Sequence, residues 1–134
     1  MENQFSDSCY FCDRAMYIQS MLYEDDFLII LKDNFPISEK HILVIPKIHV
    51  ANIFELEIEL YERIFAKIKE YSHILKSSDS TIEGFNLGVN QGKVAGQTVM
   101  HVHVHLIPRR NSDSKDPRGG VRWIFPDKAK YWDD

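Results

Sequence analysis

Between residues 101 and 107 the chain alternates three histidines with branched apolar residues. On a β-strand, side chains two residues apart point to the same side. His101, His103 and His105 therefore share one face, and Val102, Val104 and Leu106 share the other. Alternate residues along a strand are roughly 6.6–6.8 Å apart, so neighbouring imidazoles can act on one ligand. The alternation predicts a strand that packs against the core on one face and carries chemistry on the other.

Other short apolar segments are also predicted to form strands. Branched and aromatic residues bounded by turn residues or proline are typical of strands. Phe27–Leu31 follows a predicted turn at Tyr23–Asp26, and His41–Ile45 is closed by Pro46. Phe85–Val89 is the next predicted strand, and the histidine strand is stopped by Pro108. These segments predict an antiparallel sheet of about five strands.

A long helix is predicted between the two pairs of strands. Apolar residues recur there at steps of three and four, which places them on one helical face: Ile53, Leu56, Leu60, Ile64, Ile68, Tyr71 and Leu75. Asn52 is the predicted N-cap, and Ser77–Ser80 ends the helix. The fold class is therefore α+β, with the helix packed on one face of the sheet.

The length of 134 residues fits a single domain, 1–134, in which 111–134 is an exposed loop followed by an aromatic tail. Because four aromatic residues are costly to leave in water, the tail is expected to dock on its own domain or on a second subunit. Residues 1–8 lack the basic and apolar regions of a signal peptide, and no apolar run is long enough to cross a bilayer. These features predict a cytoplasmic protein without a membrane partner.

The net charge is −4, from 16 basic and 20 acidic residues. A basic balance is the usual footprint of nucleic-acid binding, so no stable nucleic-acid partner is expected. A small anionic substrate remains compatible with this charge, because a binding site needs only local donors. Arg109 and Arg110 directly follow the histidine strand and could supply such donors.

The histidine face permits two chemistries, which are metal binding and covalent catalysis by an imidazole. Asn90 and the run Gly96-Gln97-Thr98 precede the histidines and offer amides, a hydroxyl and backbone N–H groups. Glycine lets a backbone approach a phosphate closely, and successive amides can form an anion-binding nest. Carboxylates, which often complete a catalytic metal site, are absent from the neighbouring sequence. The surroundings therefore favour a phosphate site.

The segment His101-Val-His-Val-His-Leu-Ile107 resembles the motif of the histidine-triad (HIT) superfamily of nucleotide hydrolases and transferases. The stretch Ala95–Arg109 is similar to the branch that cleaves dinucleoside polyphosphates. His41–His49 resembles the second strand of the family, and Cys9-Tyr-Phe-Cys12 resembles the N-terminal piece of many bacterial members. The resemblance covers nearly the whole chain in order. It implies a HIT-like fold, a homodimer and hydrolysis at the α-phosphate of a nucleotide.

The resemblance also implies residue roles. His103 corresponds to the nucleophile that forms a nucleotidyl-histidine intermediate, His105 to a phosphate contact and His41 to the fourth histidine of the site. Asp33 sits where the family holds the ribose hydroxyls. The remaining positions match groups that bind phosphate oxygens or the leaving group: Asn90, Gly96, Gln97 and Thr98.

The Cys-x-x-Cys pair is compatible with two small buried residues, with a redox pair or with a metal site. Structural zinc commonly takes two cysteines and two histidines. Such a site occurs in many bacterial members of the superfamily. We therefore predict a structural zinc, and no organic cofactor, with these ligands: Cys9, Cys12, His49 and His101.

Three alternatives remain open on the sequence. The chain could be a nucleoside phosphoramidase of the same superfamily, or a nucleotide-binding module without catalysis. It could also be a metal hydrolase whose triad itself binds the ion, which would lose activity with a chelator.

Overall fold

The computed structural model describes residues 8–134, so the N-terminal stretch 1–7 that bears on a signal peptide lies outside it. The principal elements form a five-stranded antiparallel sheet, a long helix and two helices of one turn. In chain order they are α1 (Arg14–Tyr17), β1 (Met21–Glu24), β2 (Leu28–Lys32), β3 (Ile42–Pro46), α2 (Ile58–Ser78), β4 (Gly84–Gly88), β5 (Val104–Arg109) and α3 (Pro126–Ala129). The predicted α+β class and five-stranded sheet are confirmed.

The strand order is β1-β2-β3-β5-β4, and every pairing is antiparallel. The helix α2 covers one face of this sheet. Its buried residues Ile64, Ile68 and Leu75 join a core with alternate residues of the strands. Within the described residues 8–134, no helix is long and apolar enough to cross a membrane.

The strands β2 and β3 are buried on both faces, because the N-terminal segment covers the face that α2 leaves open. Ile29 and Ile45 pack there against Phe11 and Tyr17. This explains why β2 and β3 are continuous apolar runs, whereas the burial of β5 alternates.

Two predicted element boundaries are wrong. Tyr23–Asp26 was expected to be a turn, but Met21–Glu24 is a strand, and the turn comes next. There the Asp25 carboxylate accepts the N–H groups of Phe27 and Leu28. Asn52 caps a short 3₁₀-helix by accepting the Phe54 N–H, and α2 begins only at Ile58.

The histidine strand is also shifted relative to its prediction. Regular pairing with β3 begins at Val104, which lies opposite Val44, although β3 itself continues to Pro46. Residues 101–103 are instead held by irregular contacts, one of which runs from the Val102 N–H to the Val50 carbonyl. Pro108 does not end the strand. Pairing with β3 stops at Leu106, so no hydrogen bond to β3 is lost at Pro108, which has no N–H. Pairing with β4 continues to Arg109.

Candidate active site

The ring of His103 is oriented by the backbone of its own motif. Its Nδ1 lies 2.8 Å from the carbonyl oxygen of His101. A carbonyl only accepts hydrogen bonds, so in the neutral ring Nδ1 carries the proton and Nε2 has the lone pair. The ring also packs against Phe11, with 5.1 Å between ring centroids. His103 thus presents an unprotonated Nε2 in a fixed orientation, as a nucleophile requires.

His105 and His41 form a second pair, although 64 residues separate them in the chain. The Nε2 of His41 lies 2.9 Å from the Nδ1 of His105. The Ile37 N–H donates to the Nδ1 of His41, so the proton of His41 is on Nε2 and points to His105. The Nδ1 of His105 therefore accepts, which leaves its own proton on Nε2 and available to a ligand.

Both rings are held in the neutral form. His41 is only 3% exposed, and burial lowers its pKa below the usual value. Burial lowers the pKa of His105 to about 4, with smaller contributions from the neighbouring His103 and His41. Neutral imidazoles at pH 7 can donate one proton each while accepting at the other nitrogen, as the pair requires.

Asp33 joins this pair, which corrects the sequence argument that no carboxylate is near the histidines. Its Oδ2 lies 3.3 Å from the Nε2 of His41 and 3.7 Å from the Nδ1 of His105. Its Oδ1 accepts the N–H of Phe35. The β2–β3 pairing, which the Asp33 N–H extends by donating to the His41 carbonyl, brings Asp33 to His41, and the β3–β5 pairing brings His105 beside them. Sequence spacing does not reveal this proximity.

The loop before the histidines is organised by Gln97, whose side chain was expected to meet phosphate. It is instead only 5% exposed and bonds to the backbone at both ends of its amide. Oε1 accepts the Gly92 N–H at 2.8 Å, and Nε2 donates to the carbonyls of Ala51 and Val99. With both ends occupied, Gln97 serves to position the loop.

The predicted nest of successive amides is wrong for the same loop. The N–H groups of Gly96 and Gln97 donate to the Lys93 and Gly92 carbonyls. Gly96 has a φ of 98°, which favours glycine. Asn90 and Thr98 are exposed, and their side chains form no hydrogen bond with the described part of the chain. These two side chains remain available to a phosphate.

The four predicted metal ligands converge at one place. The candidate ligand atoms of Cys9, Cys12, His49 and His101 all lie within 4.8 Å of one another. His101 is completely buried, and its Nε2 lies 2.7 Å from the Pro46 carbonyl. The proton of His101 is therefore on Nε2, and the lone pair of Nδ1 points into the cluster. Burial lowers the pKa of His101 to about 4, which keeps this lone pair unprotonated.

The spacing of this cluster fits a tetrahedral ion. Zinc bonds of the usual lengths would separate a sulfur from a nitrogen by roughly 3.5 Å and two nitrogens by roughly 3.3 Å. The Nδ1 of His101 lies 3.5 Å from the Cys9 sulfur and 3.6 Å from the Cys12 sulfur. His49 Nδ1 lies 3.4 Å from the Cys12 sulfur and 3.2 Å from His101 Nδ1. The donor set and its spacing suit zinc.

The site opens into a large cleft of about 1630 Å³. On one side of His105 the wall consists of Asp33, Phe35 and Ile37 from the loop between β2 and β3. On the other side the cleft runs along β4 and β5 and beneath the C-terminal residues, with Trp123 in its lining. His103, Gly96, Gln97 and Thr98 are not part of this lining.

Comparison with known proteins identifies the domain. The family described as "HIT domain" matches residues 17–112. The chain belongs to the HIT family. The match includes the triad, the Asp33–His41 pair and the loop around Gln97. Cys9, Cys12 and the residues after 112 lie outside it.

Three proteins illustrate the similarity of this HIT domain to others. The chain is 36% identical over 110 residues to adenylylsulfatase HINT3 of Arabidopsis thaliana, a match that covers 80% of this chain and 55% of that protein. It is 35% identical over 101 residues to adenosine 5′-monophosphoramidase HNT1 of Candida albicans, covering 73% and 63%. The match therefore spans less than two thirds of these relatives.

The third is a solved structure, a Zn-bound histidine triad family protein from Mycobacterium smegmatis. It superposes on this HIT domain with a TM-score of 0.72 at 33% identity, covering 81% of this chain and 80% of that one. The HIT-like fold predicted from the motif is thus confirmed.

Several residues of the site were missed by the sequence analysis. Phe35 and Ile37 line the cleft, and they are apolar side chains in a polar loop, which is the signal that could have marked them as part of a candidate binding surface. Arg109 and Arg110 were considered phosphate donors, but they pair with Asp113 and Asp79 at 2.8 and 2.9 Å. Their guanidinium groups brace loops of the HIT domain.

Proposed function

We propose that this HIT protein hydrolyses a nucleotide by way of a nucleotidyl-histidine intermediate. The Nε2 lone pair of His103 attacks the α-phosphorus and forms a P–N bond, while the bond to the leaving group breaks and its electron pair leaves with that group. Water then attacks the same phosphorus and breaks the P–N bond, which releases a nucleoside monophosphate and restores His103. The observation that carries this proposal is the 2.8 Å hydrogen bond from His103 Nδ1 to the His101 carbonyl, because it selects the tautomer of the neutral ring in which Nε2 has the lone pair.

The neighbouring groups supply donors without a full positive charge. His105 directs its Nε2–H towards a phosphoryl or leaving-group oxygen, because His41 donates to its other nitrogen. Asn90 and Thr98 offer an amide and a hydroxyl to the phosphate. Donors that are already oriented stabilise the charge that develops in phosphoryl transfer, usually the largest catalytic contribution.

The nucleoside half is assigned to the wall formed by the loop between β2 and β3. We assign Asp33 to accept hydrogen bonds from the ribose hydroxyls. The exposed side chains of Phe35 and Ile37 provide an apolar surface for a base. These residues would recognise the nucleoside half of the substrate. Selectivity for the leaving group would come from other parts of the cleft.

For the leaving group we favour a nucleoside polyphosphate, so that the substrate is of the diadenosine tetraphosphate type. The size of the cleft supports a substrate larger than a mononucleotide. A phosphoramidate is the second candidate, because a relative that is 35% identical carries the name of an adenosine 5′-monophosphoramidase. Adenylyl sulfate is the third substrate to test, because the Arabidopsis relative, which is 36% identical, is named an adenylylsulfatase.

The test compares kcat/KM for diadenosine tetraphosphate, adenosine 5′-phosphoramidate and adenylyl sulfate. His103→Asn is expected to abolish turnover of all of them and trapping of a labelled nucleotidyl adduct, without changing the fold. His73→Asn, on the exposed face of α2, is the matched control and is expected to retain full activity. Near-normal hydrolysis by His103→Asn would overturn the mechanism. Loss of activity with a chelator, and no adduct, would favour a metal hydrolase instead.

A structural zinc is proposed in the cluster of Cys9, Cys12, His49 and His101. When bound, it would supply a cross-link between the N-terminal segment, the residues after β3 and the start of the triad. His101 would then hold both the ion and, through its carbonyl, the ring of His103. Elemental analysis of untagged protein should find about one zinc per chain, and Cys9→Ser should reduce this content. A fully stable, active preparation without metal would contradict the proposal.

A homodimer and a cytoplasmic location complete the proposal. The strand β4 lies at the edge of the sheet, next to β5, so its outer side is available to pair with a second copy. The cytoplasmic location is testable by fractionation.

A further inference from the structure

The cleft extends well beyond the part that the nucleoside half requires. Its volume of about 1630 Å³ exceeds the roughly 300–1,000 Å³ of ordinary small-molecule sites. Beyond His105 it follows Asn86 and Ile107 to a wall formed by residues 113–124, which we call the C-terminal wall. This wall lies outside the residues matched by the family, 17–112.

The C-terminal wall is held in place by its own chain. The indole N–H of Trp123 donates to the Arg118 carbonyl at 2.7 Å, which fixes the orientation of its ring. Arg122 donates to the carbonyls of Ala129 and Lys128. Gly119 sits against the ring of Trp132, where a Cβ would come within 3.3 Å. The wall is therefore preorganised, which lowers the entropic cost of binding a ligand.

Apolar side chains of the wall are left uncovered where they line the cleft. Val121, Trp123 and Ile124 are 61%, 42% and 73% exposed, although apolar residues gathered in a cavity are costly to leave in water. Both arginines in the same lining are neutralised, since Arg109 pairs with Asp113 and Arg110 with Asp79, whereas Lys115 adds a cation to the wall. The three apolar side chains suit the face of a flat ring.

The direction of the reaction determines what reaches this wall. In phosphoryl transfer the attacking and leaving atoms are roughly in line, so the leaving group points away from His103. The nucleoside half is assigned to the Phe35–Ile37 side, and the remaining lobe of the cleft is the one under the C-terminal wall. We infer that the C-terminal wall binds the base of a second nucleoside, carried on the leaving group, with Trp123 as its stacking surface. This inference rests on the proposed function and narrows its substrate class to dinucleoside polyphosphates.

The test uses two substrates that differ only in the second nucleoside. Diadenosine tetraphosphate and adenosine 5′-tetraphosphate share the nucleotide half and the phosphate chain, and both give adenosine monophosphate on attack at the α-phosphorus beside adenosine. The wild type is expected to prefer the dinucleotide in kcat/KM. Trp123→Ala should reduce that preference by roughly tenfold or more, since stacking on an aromatic side chain is worth about that much. Turnover of adenosine 5′-tetraphosphate should stay unchanged.

Two further variants guard against a simple folding defect. Ile124→Ala removes a cleft-lining side chain that is 73% exposed, and it should lower the preference in the same direction. Phe125→Ala alters the next residue, which is 70% exposed but does not line the cleft, and it should have no effect.

The other outcomes each have a distinct meaning. A parallel loss on both substrates, or a wild type with no preference, would overturn the inference while leaving the proposed function intact. Hydrolysis of neither substrate by the wild type, together with activity on adenosine 5′-phosphoramidate, would assign the small leaving group and overturn it as well. If none of the three is hydrolysed, the proposed function itself fails.

Discussion

At the scale of single residues, the three histidines of the motif differ because different groups meet their ring nitrogens. The Nδ1–H of His103 and the Nε2–H of His101 each donate a hydrogen bond to a backbone carbonyl, whereas the Nδ1 of His105 accepts one from the His41 imidazole. The alternating pattern predicted that the three rings share a face. It could not predict which nitrogen of each ring carries the proton, because the partners come from distant parts of the chain.

The neutral state of the buried pair predicts how the stability of the protein depends on pH. In the unfolded chain a histidine has a pKa of about 6.5, whereas burial lowers the pKa of His105 to about 4. The contribution of His105 to the free energy of unfolding is therefore fully present above pH 6.5 and is lost as the pH decreases towards 4. In this range the unfolded state binds a proton at His105 and the folded state does not.

Urea unfolding between pH 7 and pH 4.5 measures this effect. The His105→Asn variant should lose about 1 kcal/mol less than the wild type for each unit of pH decrease in this window. His73→Asn, an exposed histidine on α2, should behave as the wild type does. An identical slope in the wild type and in His105→Asn would contradict the assignment.

At the scale of elements, the period of the sequence identified each type of structure but misplaced several ends. The helix pattern began at Ile53, yet α2 begins at Ile58, because Asn52 caps a separate 3₁₀-helix whose first N–H also donates to Gln91. The strand β1 was missed, since its edge position leaves it only partly buried and gives it no clear alternation. Boundaries of this kind depend on contacts with other elements.

In the loop from Asn90 to Thr98, one residue is expected to affect stability and another to affect activity alone. Gln97→Ala removes a buried amide that satisfies three backbone groups, so the free energy of unfolding should fall by about 1–3 kcal/mol, and activity should fall with it. Thr98→Val replaces an exposed hydroxyl by a methyl group of similar size. It should lower kcat/KM while leaving stability unchanged in thermal and urea unfolding. A Gln97→Ala protein of normal stability would show that the amide does not hold the loop.

At the scale of the whole molecule, three separate segments of the chain lie on one face of the sheet. The N-terminal segment covers β2 and β3 and brings Cys9 and Cys12 to His101, the triad lies in the middle, and the C-terminal wall covers β4 and β5. The helix α2 packs on the other face. The aromatic tail was expected to dock on its own domain or on a partner. Of its four aromatic residues, Trp123 lines the cleft of its own chain and Trp132 lies against Gly119, whereas Phe125 and Tyr131 are 70% and 73% exposed.

The free edge of β4 makes the proposed dimer testable. Leu87 of β4 and Leu22 of β1 are each 43% exposed, and they lie on the two opposite edge strands of the sheet. Lysine on an edge strand opposes pairing with another chain. Leu87→Lys should therefore shift the mass in light scattering from a dimer to a monomer, and Leu22→Lys should not. A monomeric wild type, or dissociation by Leu22→Lys instead, would contradict pairing through β4.

The sequence by itself determined the α+β class, the long helix, the shared face of the three histidines and the family resemblance. These follow from local periodicity and from a motif whose residues are contiguous. Only the tertiary structure decided that Asp33 meets the histidines, that Gln97 is committed to the backbone and that both arginines after the triad are paired. It also decided that residues beyond 112 line the cleft. Each of these depends on which distant segments of the chain pack beside the same part of the sheet. Spacing along the sequence does not contain that information.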